Sequence, residues 1–405
     1  MIIGRDIIVI GIQPWDIEIG SNCKNIAEEM AKYNRVLYVN SPLDRISRSK
    51  NASEERIKKR VNIINGKEDF LVPISNNLWN LYPTQMIESI NWLPDGVLYD
   101  FINKRNNRKF ANDIQKGIQQ LGFKDYIIFN DSNMFTGFHQ KELLNPRTYV
   151  YYMRDYLTKN PYWRKHGLRI EPKLIAKADV VVNNSTLYAE YGKQYNQHCY
   201  MVGQGCDVSL FSDKDNKIPI PEDMSGFKKP VIGYVGFLSS RRLDIELLVF
   251  MAKKRPQWNI VLVGPEDDQF KNSELHQISN VYFLGSRDGN DLPSYIKSFD
   301  VAMNPQLIND ATIGNYPRKI DEYLAMGKPT VGTATKAMEY FKDHTYLATT
   351  HQEWVDAVDL ALKEDSKELQ EGRIVCGTSH SWENNVKEIF KFIEGFENGW
   401  KDQKM

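Results

Sequence analysis

Short apolar runs alternate with segments of helical period along most of the chain. Residues 6–12 predict a buried strand, and residues 22–32 predict an amphipathic helix after it. This alternation is typical of parallel sheets whose strands are joined by helices. The first half predicts further strands at 35–39, 126–129, 148–152, 180–183 and 199–202, and helices at 95–121, 164–177 and 186–195.

The same alternation starts again after residues 213–229, a charged stretch with Pro219 and Pro221 that we interpret as a linker. Strands are then predicted at 231–237, 259–263, 281–284, 301–303, 330–332 and 346–348, and helices at 244–254, 292–297, 318–326 and 353–363. At 405 residues the chain exceeds the usual size of a single core. We therefore expect an α/β protein with two Rossmann-like domains, residues 1–206 and 207–380.

Charge is balanced over the whole chain, with 52 Lys and Arg against 52 Asp and Glu. This balance argues against nucleic acid as a partner. A local basic segment at 43–61 nevertheless carries seven bases and three acids. A solvated loop or helix is the favoured interpretation, and a surface that touches anionic lipid is the alternative. The bases are Arg45, Arg48, Lys50, Arg56, Lys58, Lys59 and Arg60.

The four cysteines form no CxxC pair, and their spacing with the seven histidines is not that of a metal site. We therefore expect reduced thiols and no metal. No run approaches the roughly 18 apolar residues that a membrane span needs, and the first residues lack the apolar core of a signal peptide. A cytoplasmic protein is expected, either soluble or peripheral at the inner face of the membrane.

Residues 315–329 hold the densest set of candidate chemistry. Pro317 fits the first turn of a helix, where free backbone N–H groups form an anion site. Arg318 and Lys319 add positive charge there, and Glu322 lies one turn further along. A carboxylate in that place can accept two hydroxyl hydrogen bonds, as a ribose requires. An ordinary helix with a Pro start and a Gly327 stop is the alternative.

Glycine turns follow several predicted strands, and parallel sheets bind ligands at such turns. Gly236 is followed by Arg241 and Arg242, and arginine matches phosphate oxygens. In the first half, Gly20 and Ser21 precede a helix, so that a polar cap and exposed N–H groups could touch a phosphate or a sugar. Surface arginines and a simple helix cap are the alternatives.

The 315–329 segment resembles the donor-site helix of GT-B glycosyltransferases, especially the retaining enzymes of bacterial polysaccharide assembly (glycosyl transferases group 1, family 4-like). The sequence reads Asn-Tyr-Pro-Arg-Lys-Ile-Asp-Glu-Tyr-Leu-Ala-Met-Gly-Lys-Pro there. Weaker similarity extends over 233–243 and over His-Ser-Trp-Glu at 380–383. The resemblance implies two domains facing across a cleft, with a helix in residues 381–405 that crosses back to the first domain.

The resemblance also implies roles for individual residues. Asp155, Arg241 and Lys319 would be catalytic, with Asp155 orienting or deprotonating the acceptor hydroxyl. An Arg154–Asp155 pair is an alternative role for this carboxylate, and Asp131 and Asn133 are the next candidates. The base would lie near the loop after Gly285. Donor-binding residues would be Gly20, Ser21, Gly236, Arg242, Ser286, Arg287, Asn315, Tyr316, Arg318 and Glu322.

The implied reaction moves a sugar from a nucleotide-diphosphate-sugar to a hydroxyl of a glycan or lipid-linked acceptor in cell-surface polysaccharide synthesis. Retention of configuration and independence from metals and cofactors are expected. Gly314 stands where many retaining relatives have a glutamate, which leaves two alternatives open: a nucleotide-sugar epimerase, or a catalytically silent subunit that binds nucleotide sugar. For aromatic residues of the first half such as Trp92 and Trp163, burial of most of them is favoured over sugar stacking.

Overall fold

The structure, a computed structural model, describes residues 1–17, 21–213, 216–309, 312–314 and 316–399. The chain divides into two compact units. Unit 1 comprises Met1–Gly205 and Trp382–Met405, and unit 2 comprises Cys206–Ser381. The sequence predicts this division after residue 206 and before residue 381.

Unit 1 contains an eight-stranded sheet in the order β3-β4-β2-β1-β5-β6-β7-β8. Neighbouring strands are parallel except for the antiparallel pair of β3 and β4. The central strands are continuous apolar runs because helices cover both faces of the sheet. The strands are β1 (Asp6–Gly11), β2 (Arg35–Asn40), β3 (Leu71–Ser75), β4 (Leu78–Leu81), β5 (Ile127–Asp131), β6 (Thr148–Met153), β7 (Val180–Asn183) and β8 (Cys199–Met201).

The helices of unit 1 before residue 205 lie on both faces of this sheet. Ile26 belongs to a core on one face, and Phe110 and Leu174 belong to a core on the other. The helices are α1 (Asn22–Ala31), α2 (Arg45–Lys50), α3 (Glu55–Ile64), α4 (Val97–Leu121), α5 (Gln140–Leu144), α6 (Pro161–Lys177) and α7 (Thr186–Lys193).

Unit 2 contains a six-stranded parallel sheet in the order β11-β10-β9-β12-β13-β14. Its strands are β9 (Val231–Val235), β10 (Asn259–Val263), β11 (Val281–Gly285), β12 (Val301–Asn304), β13 (Thr330–Thr333) and β14 (Tyr346–Ala348). Its helices are α8 (Ile245–Lys254), α9 (Asp268–Lys271), α10 (Leu292–Ser298), α11 (Arg318–Ala325), α12 (His351–Glu364) and α13 (Lys367–Ser379).

The last helix, α14 (Trp382–Glu397), returns to unit 1. Ile389 and Phe390 are buried in the same core as Ile26 of α1. The Asn385 amide donates to the carbonyls of residues 202 and 203, at 2.9 and 3.2 Å. The crossover helix that the resemblance implied is confirmed.

The interpretation of residues 213–229 as a linker is wrong. The Met224 side chain is buried in a core of unit 2. Asp213 pairs with Lys297 at 2.7 Å, and Asp223 pairs with Arg287 at 2.7 Å. These contacts attach the described part of the segment to unit 2. Across the described residues, no helix combines the length and the apolar composition required to cross a bilayer.

Candidate functional site

The start of α11 differs in one respect from the sequence prediction. Pro317 is the N-cap rather than a residue of the first turn, so the helix begins at Arg318. The Arg318 N–H donates to the carbonyl of Tyr316 at 3.1 Å, and the Ile320 N–H donates to that of Pro317 at 2.8 Å. Two of the N–H groups expected to be free are therefore occupied. An anion at the start of α11 would therefore be bound chiefly by side chains, with the positive end of the helix adding to their charge.

Two glycine turns pack against each other beside α11. Gly236, directly after β9, has φ +135°, and a methyl group added to it would lie 3.0 Å from Lys319 Nζ. Gly264 follows β10, and a methyl group there would lie 2.0 Å from the carbonyl oxygen of Gly236. Only glycine allows both the backbone geometry and this close approach. The turn after β9 is thus held next to the Lys319 amine.

Lys319 is a half-buried cation that has no carboxylate partner among the described residues. Its Nζ lies 3.9 Å from the centre of the Tyr234 ring and donates to the Tyr234 hydroxyl. The pKa of Lys319 is lowered to about 7, mainly by burial; the charge of Glu322 opposes this change and that of Arg242 contributes to it. An anion bound here would favour the charged amine.

Glu322 lies one turn along α11 and is half-buried. Burial raises the pKa of its carboxyl, and the charges of Arg318 and Lys319 oppose that rise. Within the described part of the chain, its carboxylate takes part in no hydrogen bond or ion pair. Its oxygens therefore remain available to hydroxyl donors. We call Gly236, Arg242, Lys319 and Glu322 the Lys319 cluster.

Asp321 anchors α11 on the side opposite this cluster. Its carboxylate is fully buried, lies 2.7 Å from His380 Nδ1 and accepts from the Tyr316 hydroxyl at 3.2 Å. Burial raises the pKa of Asp321 to about 6, and the hydrogen bond with His380 opposes this. Tyr316 is one of the predicted donor-binding residues, and its hydroxyl is engaged in this hydrogen bond to Asp321 within unit 2.

Other predicted donor residues are not joined to the Lys319 cluster by a hydrogen bond or ion pair of the described residues. Arg241 contributes its backbone carbonyl, which accepts from the Asn309 amide at 2.8 Å. Arg287 donates to the Tyr295 hydroxyl at 2.6 Å and to Asp223 at 2.7 Å, and Ser286 is exposed. Gly20 and Asn315 lie outside the described residues.

Asp155 lies in unit 1, just after β6. Arg154 joins it to Asp131: the guanidinium lies 2.8 Å from an Asp131 oxygen and 2.9 Å from an Asp155 oxygen. Burial raises the pKa of Asp155, Arg154 opposes that rise, and Asp131 adds to it. The Arg154–Asp155 pair that the sequence left as an alternative is therefore present, and it leaves the second Asp155 oxygen for another partner.

Unpartnered polar atoms mark the starts of two helices in unit 1. The hydroxyls of Ser21 before α1 and Ser185 before α7 are buried and have no hydrogen-bond partner among the described residues, and the same holds for the amide oxygen of Asn184. Gln204 links the two helix starts, 3.4 Å from the Asn22 amide oxygen and 3.0 Å from the Asn184 amide nitrogen. Residues 184 and 185 were not predicted as site residues from the sequence, although Asn-Asn-Ser directly after a buried strand was a usable signal.

A pocket of about 300 Å³ opens in unit 1 among the loops after β1, β2 and β5. Trp92, Tyr162 and Trp163 line it together with Asn91 and Asn133. Of the aromatic residues for which burial was favoured, Tyr82, Tyr99 and Tyr188 are buried, whereas Trp92 is 69% exposed. Flat aromatic faces beside amide groups suit a sugar.

Comparison with known proteins relates the chain to glycosyltransferases. Residues 229–364 match the family model of glycosyl transferases group 1. A Bacillus subtilis (strain 168) protein, assigned as the teichuronic acid biosynthesis glycosyltransferase TuaH, is 25% identical over 233 residues. This match covers 55% of the chain and 58% of the relative, so the chain spans little more than half the length of that protein.

Two solved structures have a similar fold over nearly the whole length of this chain. Sucrose-phosphate synthase from Thermosynechococcus elongatus matches with a TM-score of 0.63 and 15% identity, covering 98% of this chain and 100% of that one. HepE from Anabaena, solved in complex with UDP, matches with a TM-score of 0.63 and 16% identity, covering 96% and 100%. The chain has the GT-B fold and resembles the group 1 glycosyl transferases. The predicted fold class and family resemblance are confirmed.

In this GT-B chain the family match contains the whole Lys319 cluster, whereas Asp155, Ser21 and His380 lie outside it. Among the described residues, no group of three His, Cys, Asp or Glu side chains is placed to hold a metal ion. Independence from metals and cofactors stays a prediction.

Proposed function

We propose that the chain transfers a hexose from a nucleotide-diphosphate-sugar to a hydroxyl of a glycan or lipid-linked acceptor during cell-surface polysaccharide synthesis. The observation that carries this proposal is the Lys319 cluster, which combines a half-buried amine and a carboxylate, neither in an ion pair with another described residue, and a glycine turn. It lies in the segment that matches the glycosyl transferase family. The name of the TuaH relative supports the link to cell-surface polysaccharide.

In the proposed complex the diphosphate lies between Lys319 and the turn after Gly236. Lys319 and Arg242 supply positive charge, and Arg318 adds to it at the first residue of α11. Glu322 accepts hydrogen bonds from the two ribose hydroxyls. The missing side chain at Gly236 lets the phosphate oxygens approach the backbone.

Catalysis then rests on stabilising the leaving group. The bond between the anomeric carbon and the diphosphate oxygen breaks, and both electrons stay with that oxygen. The cations described above stabilise the charge that grows there, which lowers the barrier because they are already in place. The acceptor hydroxyl supplies the new oxygen and loses its proton, for which we propose Asp155 as orienting group or base. Retention of configuration and independence from metal remain part of this proposal.

Uracil is the base to test first, because the HepE neighbour was solved with UDP. For the acceptor we propose the pocket beside Trp92 and Trp163, since its aromatic faces and amides can hold a sugar ring. The buried hydroxyls of Ser21 and Ser185 are further candidates for sugar contacts, because neither has a hydrogen-bond partner in the part of the chain that the structure describes.

The experiment is a calorimetric titration with UDP, GDP and ADP, without metal and then with magnesium. We expect one diphosphate to bind without metal, and Lys319→Ala to weaken it by about 2 kcal/mol, the usual value of a charge-assisted hydrogen bond. Lys254→Ala is the matched control, because Lys254 is an exposed lysine on α8 of the same unit.

Turnover is then measured with the sugar conjugate of that nucleotide, with and without glycan acceptors. Product that forms only with acceptor supports the transferase. Conversion of the donor sugar without acceptor would support the epimerase instead. Tight donor binding without turnover on any acceptor would favour the silent subunit, and no binding of any diphosphate would contradict the proposal.

A further inference from the structure

The strongest unexplained surface of unit 1 is an apolar projection at the start of α4. Trp92 is 69% exposed, Val97 86%, Leu98 58% and Phe101 66%. These four residues, which we call the apolar tip, fall within ten positions of sequence. Large apolar groups clustered in this way are uncommon on soluble surfaces and indicate an interaction site.

Three cationic residues follow the apolar tip along the same face of α4. Lys104, Arg105 and Arg108 are exposed, and each follows Val97, Leu98 or Phe101 by seven residues. Seven residues are almost two helical turns, so these cations lie about 10 Å further along α4. No ion pair involves them within the described part of the chain. We call these three residues the basic band.

Side chains of α6 pair with the carboxylates near the apolar tip. Arg169 lies 3.3 Å from Asp95 and 2.9 Å from Asp100, and His166 Nδ1 lies 2.6 Å from Asp95. Lys165, also on α6, donates to the carbonyl of Trp92 at 2.9 Å. Both carboxylates thus have partners, while the basic band is in no ion pair with another described residue.

The balanced charge of the whole chain hides an asymmetry between the units. Unit 1 contains 32 Lys and Arg against 26 Asp and Glu, whereas unit 2 contains 20 against 26. The basic segment 43–61 contributes less free charge than its composition indicates, because four of its seven bases pair with carboxylates. The basic band on α4 is a better source of attraction for anions.

We infer that the apolar tip of unit 1 docks on a bilayer surface containing anionic lipid, with the start of α4 pointing into the membrane. Apolar side chains then reach the boundary of the acyl chains, and the basic band lies at the level of the headgroups. Trp92 suits that boundary because its indole nitrogen donates to the Ser89 carbonyl at 2.9 Å while its ring faces outward.

The order of layers along α4 favours a bilayer over a protein partner. A bilayer presents anionic headgroups outside and hydrocarbon inside, which is the order of the basic band and the apolar tip. The pocket beside Trp92 and Tyr162 then opens next to the membrane surface. This inference deepens the proposed function, on which it rests only for the idea that the acceptor is lipid-linked.

The first test measures sedimentation of the full chain with vesicles of phosphatidylcholine alone and of phosphatidylcholine with about one third phosphatidylglycerol. We expect clear binding to the anionic vesicles and weak binding to the neutral ones. Leu98→Ser combined with Phe101→Ser should weaken binding about tenfold or more. Leu369→Ser combined with Val375→Ser removes exposed apolar groups from α13 of unit 2 and should bind like the wild type.

A second pair of variants tests the charge. Lys104→Gln with Arg105→Gln should weaken binding to anionic vesicles by roughly fivefold for each charge. Lys254→Gln with Lys271→Gln removes two exposed lysines of unit 2 and should have little effect. Unchanged thermal unfolding and unchanged UDP binding in each variant establish that the fold and the nucleotide site are intact.

Three results would overturn the inference. The first is absence of wild-type binding to anionic vesicles, and the second is equal binding by the tip variant. The third is concentration-dependent self-association in sedimentation velocity that the tip variant abolishes, since this would make the tip an interface between two copies. Vesicle binding needs no nucleotide, so its failure can be distinguished from failure of the proposed transferase activity.

Discussion

Lys319 is the residue of the Lys319 cluster whose charge changes near neutral pH. Its pKa of about 7 applies to the protein without an anion, and a bound diphosphate raises that pKa. Binding must therefore take up protons near neutral pH. The charged Lys319 amine contributes fully to affinity below pH 7. This contribution is lost as the pH rises above 7 and through the pKa that Lys319 has in the complex.

We predict that the dissociation constant for UDP rises above pH 7 by up to about tenfold per pH unit. Calorimetry from pH 6 to 9, in buffers of different ionisation enthalpy, measures both the affinity and the proton uptake. The phosphate itself titrates at about pH 6. Lys319→Met isolates the lysine, because it should keep that phosphate titration and lose the fall above pH 7. A parallel fall in this variant would remove Lys319 from the site.

Glu322 allows a test that separates ribose from phosphate. Glu322→Gln keeps the side-chain size but removes the charge and one acceptor. We expect UDP affinity to fall by about 1–2 kcal/mol, while affinity for inorganic pyrophosphate stays equal or rises, because repulsion of the anion is reduced. Competition binding with both ligands measures the difference. Equal losses for the two ligands would place Glu322 at the diphosphate instead.

Glu171 gives a prediction about stability in unit 1. The residue is buried and accepts from the Tyr151 hydroxyl at 2.8 Å, and burial raises its pKa to about 7. The folded pKa exceeds the ordinary value of 4.5, so the folded state gains protons. Stability is therefore highest at low pH with respect to this group and falls as pH rises from 4.5 through 7.

The size of that loss is about 1.4 kcal/mol for each unit by which the pKa is raised. We predict that Glu171→Gln flattens the decrease in the free energy of unfolding between pH 5 and 8, measured by urea denaturation. Glu368→Gln, at an exposed position of α13, is the control and should keep the wild-type pH dependence. A decrease as steep in Glu171→Gln as in the wild type would show that another group causes it.

At the scale of elements, α11 depends on α13 for its position. Gly377 of α13 touches α11 so closely that an added methyl group would lie 2.4 Å from the Ala325 nitrogen and 2.7 Å from the Asp321 oxygen. Gly372, one and a half turns earlier, has only the His344 ring within 4 Å, at 3.9 Å. One helix thus offers a crowded glycine and an open one.

We predict that Gly377→Ala costs about 1–3 kcal/mol in the free energy of unfolding, because the helices must separate. It should also weaken UDP binding, since α11 carries Lys319 and Glu322. Gly372→Ala should stabilise by up to about 1 kcal/mol, since alanine favours helix over glycine. Urea denaturation and calorimetry on both variants measure the two effects, and equal outcomes for the pair would contradict the packing argument.

Elements with a strong pattern were predictable from sequence, and those held by partners far along the chain were not. Strands such as β1 and β10 are continuous apolar runs because both faces are covered. The hairpin of β3 was missed because most of its residues are exposed and it contains Pro73. Helix α13 was missed because Gly372 and Gly377 interrupt any apolar stripe.

The same distinction applies to the candidate site. Lys319 and Glu322 lie three positions apart on one helix, so their proximity followed from local geometry. Arg287 pairs with Asp223, which is 64 positions away, and no local rule indicates that partner. The orphan hydroxyls of Ser21 and Ser185 are likewise a property of burial in three dimensions. Sequence therefore indicated the proximity of Lys319 and Glu322, whereas the roles of Arg241, Ser286 and the other predicted donor residues stay predictions.

At the scale of the whole molecule, the two proposals assign different ligands to different units. Nucleotide would contact unit 2 at α11 and the turn after β9, and anionic lipid would contact unit 1 at the apolar tip. Ligands slow amide exchange where they contact or rigidify the chain, and each unit has its own hydrophobic cores. Amide exchange can therefore detect the nucleotide contact and the lipid contact separately.

We predict two separate footprints in hydrogen-exchange mass spectrometry. UDP should protect peptides that cover 234–242 and 316–326, and anionic vesicles should protect those that cover 92–105. At a fixed ligand concentration, Leu98→Ser with Phe101→Ser should reduce the second footprint and keep the first, whereas Lys319→Met should reduce the first and keep the second, because each variant removes contacts from one unit only. If vesicles instead protected α13 or other parts of unit 2, lipid contact would belong to a surface other than the apolar tip, while the assignment of the nucleotide would stand.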